Sequence, residues 1–210
     1  MTRLLRWIFT LCIAWPLVWI WLGVSVFNRK KLPVSGPAII VANHNSHLDV
    51  LTLFTLIPLS TLVNVQPVAA ADYFLKNKVM AWFALNIIGI IPVHRNGQSA
   101  NPLAPCVEAL AKNKILILFP EGTRGEPGKL SELKSGIWHL SQSQPDVPVI
   151  PVYLHGLDRA MGKGQKIPIP FFIDIYVDDP LFYQTDKAAF KAALLQRFLD
   201  LQQQATRKIP

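Results

Sequence analysis

The stretch Asn43-His44-Asn45-Ser46-His47-Leu48-Asp49 sets an imidazole and a carboxylate five positions apart. On one continuous helix that spacing would leave the two side chains about 140° apart. They meet only if His44 lies in a loop and Asp49 in the first turn of a helix, and an apolar run before and a helix-compatible run after permit that. A histidine with one ring nitrogen held by a carboxylate has a fixed tautomer and raised basicity, so its other nitrogen can take a proton from a hydroxyl. Taken alone, the pair fits a capping or core role better. His44, His47 and Asp49 are also metal-ligand types, but the cysteine or third histidine of a usual zinc set is not evident, and no metal is expected.

Phe119-Pro120-Glu121-Gly122-Thr123-Arg124 closes an apolar run, the position where α/β folds commonly bind ligands. Gly122 allows close backbone approach, Arg124 offers a planar fork for phosphate or carboxylate, and Glu121 can orient that arginine or a substrate hydroxyl. A structural ion pair would use the same residues. Gly89-Ile90-Ile91-Pro92-Val93-His94-Arg95 ends another strand in a second arginine, which alone reads as a solvated charge. No residue reads as a covalent nucleophile: Ser46 has no glycine elbow, and Cys12 and Cys106 lack the basic surroundings that favour a thiolate. The two cysteines give no disulfide framework and suit a reducing compartment. A nucleotide loop at 156–164 fails, because Gly162-Lys163 is followed by Gly164 instead of Ser or Thr.

The elements that must position these residues follow from short apolar runs punctuated by Pro, Gly and Asn, alternating with longer helical stretches, the pattern of an α/β domain. The runs predict strands at 38–42, 65–70, 90–93, 115–119, 149–154 and 171–177. Helices are predicted at 47–56, 76–87, 104–112, 135–141 and 186–204. In the last, Phe190, Leu194, Phe198 and Leu201 make one apolar stripe that reads as packing on the sheet. The 210 residues allow one domain plus a short appendage.

Half of the chain (51%) is hydrophobic, 16% is charged and six residues are Trp, a balance tilted toward lipid contact. The net charge of +8 suits an anionic lipid leaflet or nucleic acid equally, but no basic stretch is interleaved with stacking aromatics, so membrane is preferred and no nucleic-acid partner is expected. From 7 to 27 no residue is charged, a helical length of about 30 Å that can span or embed in a bilayer. Trp7, Trp15, Trp19 and Trp21 favour a retained anchor over a cleaved signal peptide. Arg3 and Arg6 before it and Arg29 to Lys31 after it leave the orientation open, and Pro16 could fold the run into a dip. Residues 1–31 are thus expected to form a membrane segment and 32–210 the catalytic domain.

The ordered set NHxxxxD, a glycine-led strand ending in Arg95, FPEGTR, and the strand at 147–152 resembles the glycerolipid acyltransferase family, which includes enzymes acylating lysophosphatidic acid. FPEGTR is the most discriminating element. The resemblance implies a single domain of that family's kind, with a mixed sheet flanked by helices behind an N-terminal membrane helix. It makes His44 the general base and Asp49 its orienting partner. Arg95 and Arg124 become candidates for acceptor phosphate recognition, with Glu121, Gly122 and Thr123 shaping that wall and Lys134 and Gly136 supplying a further KxG element.

The implied reaction moves a fatty acyl group from acyl-CoA or acyl-ACP, without other cofactor, to the hydroxyl of a lysophospholipid, 1-acylglycerol-3-phosphate giving phosphatidic acid; the alternatives are acylation of a different lysolipid or polar lipid, or a non-catalytic membrane lipid-binding role. Its setting would be the cytoplasmic face of a plasma or inner membrane, with membrane lipids as partners. Where many family members carry an early lysine, this chain reads Ala69-Ala70-Ala71-Asp72-Tyr73-Phe74, which disfavours a phosphate there unless Lys76 or Lys78 supplies the charge.

Overall fold

The β-branched and aliphatic runs form one seven-stranded sheet. The computed structural model describes residues 2–94, 101–125, 128–162, 164–165 and 167–207. Its strands are β1 Val24–Phe27, β2 Ala38–Ala42, β3 Val65–Ala70, β4 Ile91–Val93, β5 Ile115–Leu118, β6 Val149–His155 and β7 Ile173–Val177. They lie in the order β1-β7-β6-β2-β5-β3-β4, parallel at every pairing except β6 with β7. Every residue of β2 and β5, adjacent inside the sheet, is buried. That is why they read as unbroken apolar runs instead of alternating ones.

Helices cover both faces, giving the mixed α/β architecture expected. α1 runs Thr2–Phe9 and continues through the π-wound turns Thr10–Ala14 and Pro16–Trp21. The others are α2 Asp49–Leu56, α3 Leu59–Leu62, α4 Ala71–Phe74, α5 Lys78–Phe83 with the π-wound turn Ala84–Ile88, α6 Ala104–Ala111, α7 Gly136–Ser143, α8 Leu157–Met161 and α9 Lys187–Arg207. One core layer joins the sheet to α2 and the end of α1, and the other joins it to α6, α7 and α9. Asp186 caps α9 by accepting the Ala188 N–H at 2.7 Å, and Phe190, Leu194 and Phe198 are fully buried, each contributing about 2 kcal/mol of hydrophobic stabilisation.

The apolar run 7–27 is not one element. The helix ends at Trp21, Gly23 turns the chain at φ +64°, and β1 pairs in parallel with β7, Val24 opposite Ile173. The expected boundary at 31/32 therefore falls inside the folded unit, and 24–27 is an edge strand and not anchor. Hydropathy alone does not separate an apolar strand from an apolar helix, although Val24-Ser25-Val26 alternates with the period of a strand.

α1 is one helix long and apolar enough to cross a membrane, by length and composition. Pro16 does not fold it back, since the helix continues through that residue to Trp21. Both of its ends are fastened to the domain. Near the start, the Arg6 guanidinium donates to four carbonyls, Ile87 (2.8 Å), Ile88 (2.7 Å), Leu62 (3.1 Å) and Val65 (3.0 Å), while the Trp7 indole donates to Leu59 O at 3.0 Å. Near the end, Val18 and Leu22 are buried in the core. The opposite side of the helix exposes Leu4, Ile8, Leu11, Ile20 and Trp21, continuous through the Phe9–Phe83 ring contact with exposed Val79 and Trp82 of α5.

Candidate active site

β2 delivers the His44 loop, and the loop is held by its own side chains. Asn43 extends the sheet with its amide, donating to Leu154 O at 3.0 Å and accepting the Leu154 N–H at 2.7 Å. Ser46 donates its hydroxyl proton to Met161 O at 2.6 Å and accepts the Leu48 N–H at 3.1 Å, which opens α2 and ties the loop to α8. Asp49, at the first turn of α2 and fully buried, receives three donors on Oδ2: His44 Nδ1 at 2.8 Å, Asn45 N–H at 2.9 Å and Ser46 N–H at 3.0 Å. The ionised carboxylate is an acceptor only, so the imidazole hydrogen sits on Nδ1 and Nε2 is left bare. The ring stacks on Phe119 at 4.2 Å, and its side chain is 23% exposed against 1% for Asp49.

The segment after β5 forms the facing wall. Glu121, buried, accepts the His44 N–H on Oε1 and the Ser131 N–H on Oε2, both at 2.9 Å, and the Gly125 N–H donates to His44 O at 2.9 Å. Glu121 thus holds two loops together through their backbones, and no ion pair joins it to Arg124 among the described residues. Arg124 donates from Nη1 to Nε2 of His47 instead, which requires a neutral imidazole. Burial, then the Arg124 and His44 charges, push the His47 imidazole below its usual value, with Asp49 opposing.

These groups open on a cavity of about 770 Å³. His44, Thr123, Arg124 and Lys134 line its polar side, and Phe9 and Ile13 of α1, Val50, Phe74, Phe83 and Ile90 line its apolar side. Gly122 and Gly136 also contribute wall, Gly122 at φ +76°. Asp72 lines the cavity; Lys76 and Lys78 do not. Of the residues singled out in the sequence, His44, Gly122, Thr123, Arg124 and Lys134 meet at one cavity, Asp49 and Glu121 stand behind it, and Arg95 lies outside the described residues. Among the described residues no group of three His, Cys, Asp or Glu side chains is arranged to hold a metal ion.

Sequence reasoning missed three features: the His47–Arg124 contact, the peptide-like Asn43 amide, and the part of α1 that closes the apolar wall. Asn43 carried a faint signal, being a buried polar residue directly after an all-apolar strand. Neither cysteine is placed for catalysis, since burial pushes the Cys106 thiol up to about 11 and Cys12 sits on the exposed side of α1.

A family model described as Acyltransferase matches residues 23–155, from β1 to the end of β6, a span that holds His44, Asp49, Glu121, Arg124 and Lys134 but not α1 or α8. The chain belongs to the acyltransferase family. Relatives within it include the 1-acyl-sn-glycerol-3-phosphate acyltransferase BAT2 of Brassica napus, 27% identical over 158 residues (70% of this chain, 44% of the relative). The 1-acyl-sn-glycerol-3-phosphate acyltransferase of Cocos nucifera is 29% identical over 178 residues, 78% of this chain and 53% of the relative. The chain spans about half the length of these curated relatives. Among solved structures, the 1-acyl-sn-glycerophosphate (LPA) acyltransferase PlsC from Thermotoga maritima superposes with a TM-score of 0.79 at 18% identity, covering 100% of this chain and 81% of that one, a likeness of fold.

Proposed function

We propose that the chain transfers a fatty acyl group from an acyl thioester, acyl-CoA or acyl-ACP, to the hydroxyl of a lysophospholipid, with 1-acylglycerol-3-phosphate as acceptor and phosphatidic acid as product. The observation that carries this is a histidine with its Nδ1 locked on a buried carboxylate, at the meeting of an apolar cavity wall with Arg124 and Lys134. His44 Nε2 takes the acceptor hydroxyl proton as the oxygen attacks the thioester carbonyl, and the C–O bond forms. Collapse of the tetrahedral intermediate breaks the C–S bond, and the proton returns from His44 to the departing thiolate. Direct transfer is supported by the engagement of Ser46 with Met161 and by the raised Cys106 thiol, which leave no activated nucleophile beside His44 among the described residues.

Arg124 and Lys134 bind the acceptor phosphate as fork and point charge, and acyl chains occupy the wall built by α1, α2 and α5. The names of the relatives, 1-acyl-sn-glycerol-3-phosphate acyltransferases, support this acceptor. Asp72 on the cavity wall favours a second reading, a lysolipid with an amine in its headgroup, because a carboxylate repels a phosphomonoester and attracts an ammonium.

The exposed side of α1 and the apolar surface of α5 support a seat on a membrane; in this reading the domain lies on the cytoplasmic face of a plasma or inner membrane. Transfer of labelled palmitate from its coenzyme A thioester to a panel of lysolipids tests the reaction. His44→Ala should lower kcat by about 10²- to 10⁴-fold, and Arg124→Ala should mainly raise the acceptor KM. Wild-type turnover in His44→Ala would remove the general base.

A further inference from the structure

The reaction cavity lies at the C-terminal ends of β2 and β5. Beside the N-terminal ends of β3 and β5 the protein has a second hollow, of about 230 Å³. Arg3 and Arg6 of α1 face Lys114 across it, with Gln66 of β3 and Asn86 beside them. Among the described residues none of the three cations makes an ion pair. The four carbonyls on Arg6 take four of its five N–H groups but carry no net charge, so its positive charge stays uncompensated. Lys114 gives one of its donors to Asn64 Oδ1 at 2.8 Å.

Burial, then the charges of Arg3, Arg6 and Lys112, push the Lys114 ammonium below its usual range. Three converging cations repel one another, so the arrangement costs the free protein stability, and one anion would relieve all three. The location indicates where that anion comes from. Leu85 is part of the hollow's wall and is 45% exposed, and Leu4, next to Arg3 in the chain, is 60% exposed on the apolar side of α1. Charged heads would therefore meet the hollow where apolar tails meet α1.

We propose that this basic hollow binds a phosphate group, that of a membrane lipid headgroup, at a site separate from the reaction centre. The site does not depend on the chemistry of His44, but its lipid source rests on the membrane seat proposed above.

The test is thermal unfolding of the full chain in detergent, titrated with dioctanoyl phosphatidylglycerol and, separately, with inorganic phosphate. Arg6 is left intact because it holds α1 to the domain. A saturable rise in melting temperature is expected with the lipid, its half-saturation weakened about tenfold or more in Arg3→Gln/Lys114→Gln. The same rise is expected in Arg124→Ala, which weakens the reaction site, and in Lys30→Gln/Lys76→Gln, which removes two exposed charges elsewhere. Without ligand the cavity variant should melt no lower than the wild type, since it relieves repulsion.

A response to inorganic phosphate that matches the lipid's and is lost in the cavity variant would support the phosphate site and assign it a soluble occupant. Equal responses of wild type and cavity variant, loss of the response in Arg124→Ala, or equal loss in the surface-lysine variant would each overturn the proposal.

Discussion

His47 shows how one side chain makes the anion wall conditional on pH. Its bare Nε2 accepts from Arg124, so the contact holds only while the imidazole is neutral. Burial and the neighbouring cations keep it neutral down to below the ordinary value of 6.5. Protonation removes the acceptor and sets two positive charges against each other, so the acceptor KM should be flat from pH 7 upward and rise as pH falls through that lowered value. His47→Gln, which still accepts but cannot ionise, should keep the neutral-pH KM within about twofold and lose the acid rise, whereas His47→Phe should raise KM about tenfold at all pH. A steady-state pH series separating KM from kcat checks this. A His47→Gln profile identical to wild type would deny the contact a role. The pairing of His44 with Asp49 was legible in the sequence because both lie in one short segment whose loop-to-helix break sets their distance. The contacts of His47 with Arg124 and of Glu121 with the His44 backbone join segments 77 positions apart, and no local pattern encodes them.

At the scale of elements, α1 is pinned by one guanidinium, and that guanidinium needs Gly89. The π-wound turn after α5 ends at Gly89 with φ +72°, and a Cβ built there would lie 1.6 Å from Arg6 Nη2. Gly89→Ala should therefore cost about 1 kcal/mol or more in backbone strain and displace Arg6 from its carbonyls, lowering the melting temperature by several degrees. Because Phe9 and Ile13 of α1 line the reaction cavity, activity should fall as well, although the substitution is not in the cavity lining. Melting temperature and turnover of that single variant check both effects. The central strands were legible because full burial on both faces leaves an unbroken aliphatic run, as in Ile115–Leu118. β1 was not, since four strand residues joined to an apolar helix raise no hydropathy boundary, and only the turn at Gly23 divides them. The short helices α3, α4 and α8 were also unread, because four or five residues complete too little of a helical period to leave a pattern.

For the whole molecule, the two fastenings of α1 limit how the protein can meet a bilayer. Arg6 binds carbonyls near the start of β3 and at the end of the turn after α5, while Leu22 is buried in the core just before β1 enters the sheet. A helix that crossed a bilayer would have to carry one end about 30 Å away from the domain, breaking one of these attachments. Lying flat, it keeps both and presents Leu4, Ile8, Leu11 and Ile20 outward to lipid, the geometry of an interfacial helix. Tags at the two chain ends should then show the same sidedness to protease in sealed vesicles, both digested from the face that carries the domain. Ile8→Glu/Ile20→Glu, at exposed positions, should leave the melting temperature within a few degrees of wild type yet shift the protein toward the soluble fraction, since two charges at the lipid boundary oppose insertion. Opposite protection of the two tags would mean that α1 leaves the domain and spans. In that case its part in the cavity wall, and the seat proposed for acyl chains along α1, α2 and α5, would fail together.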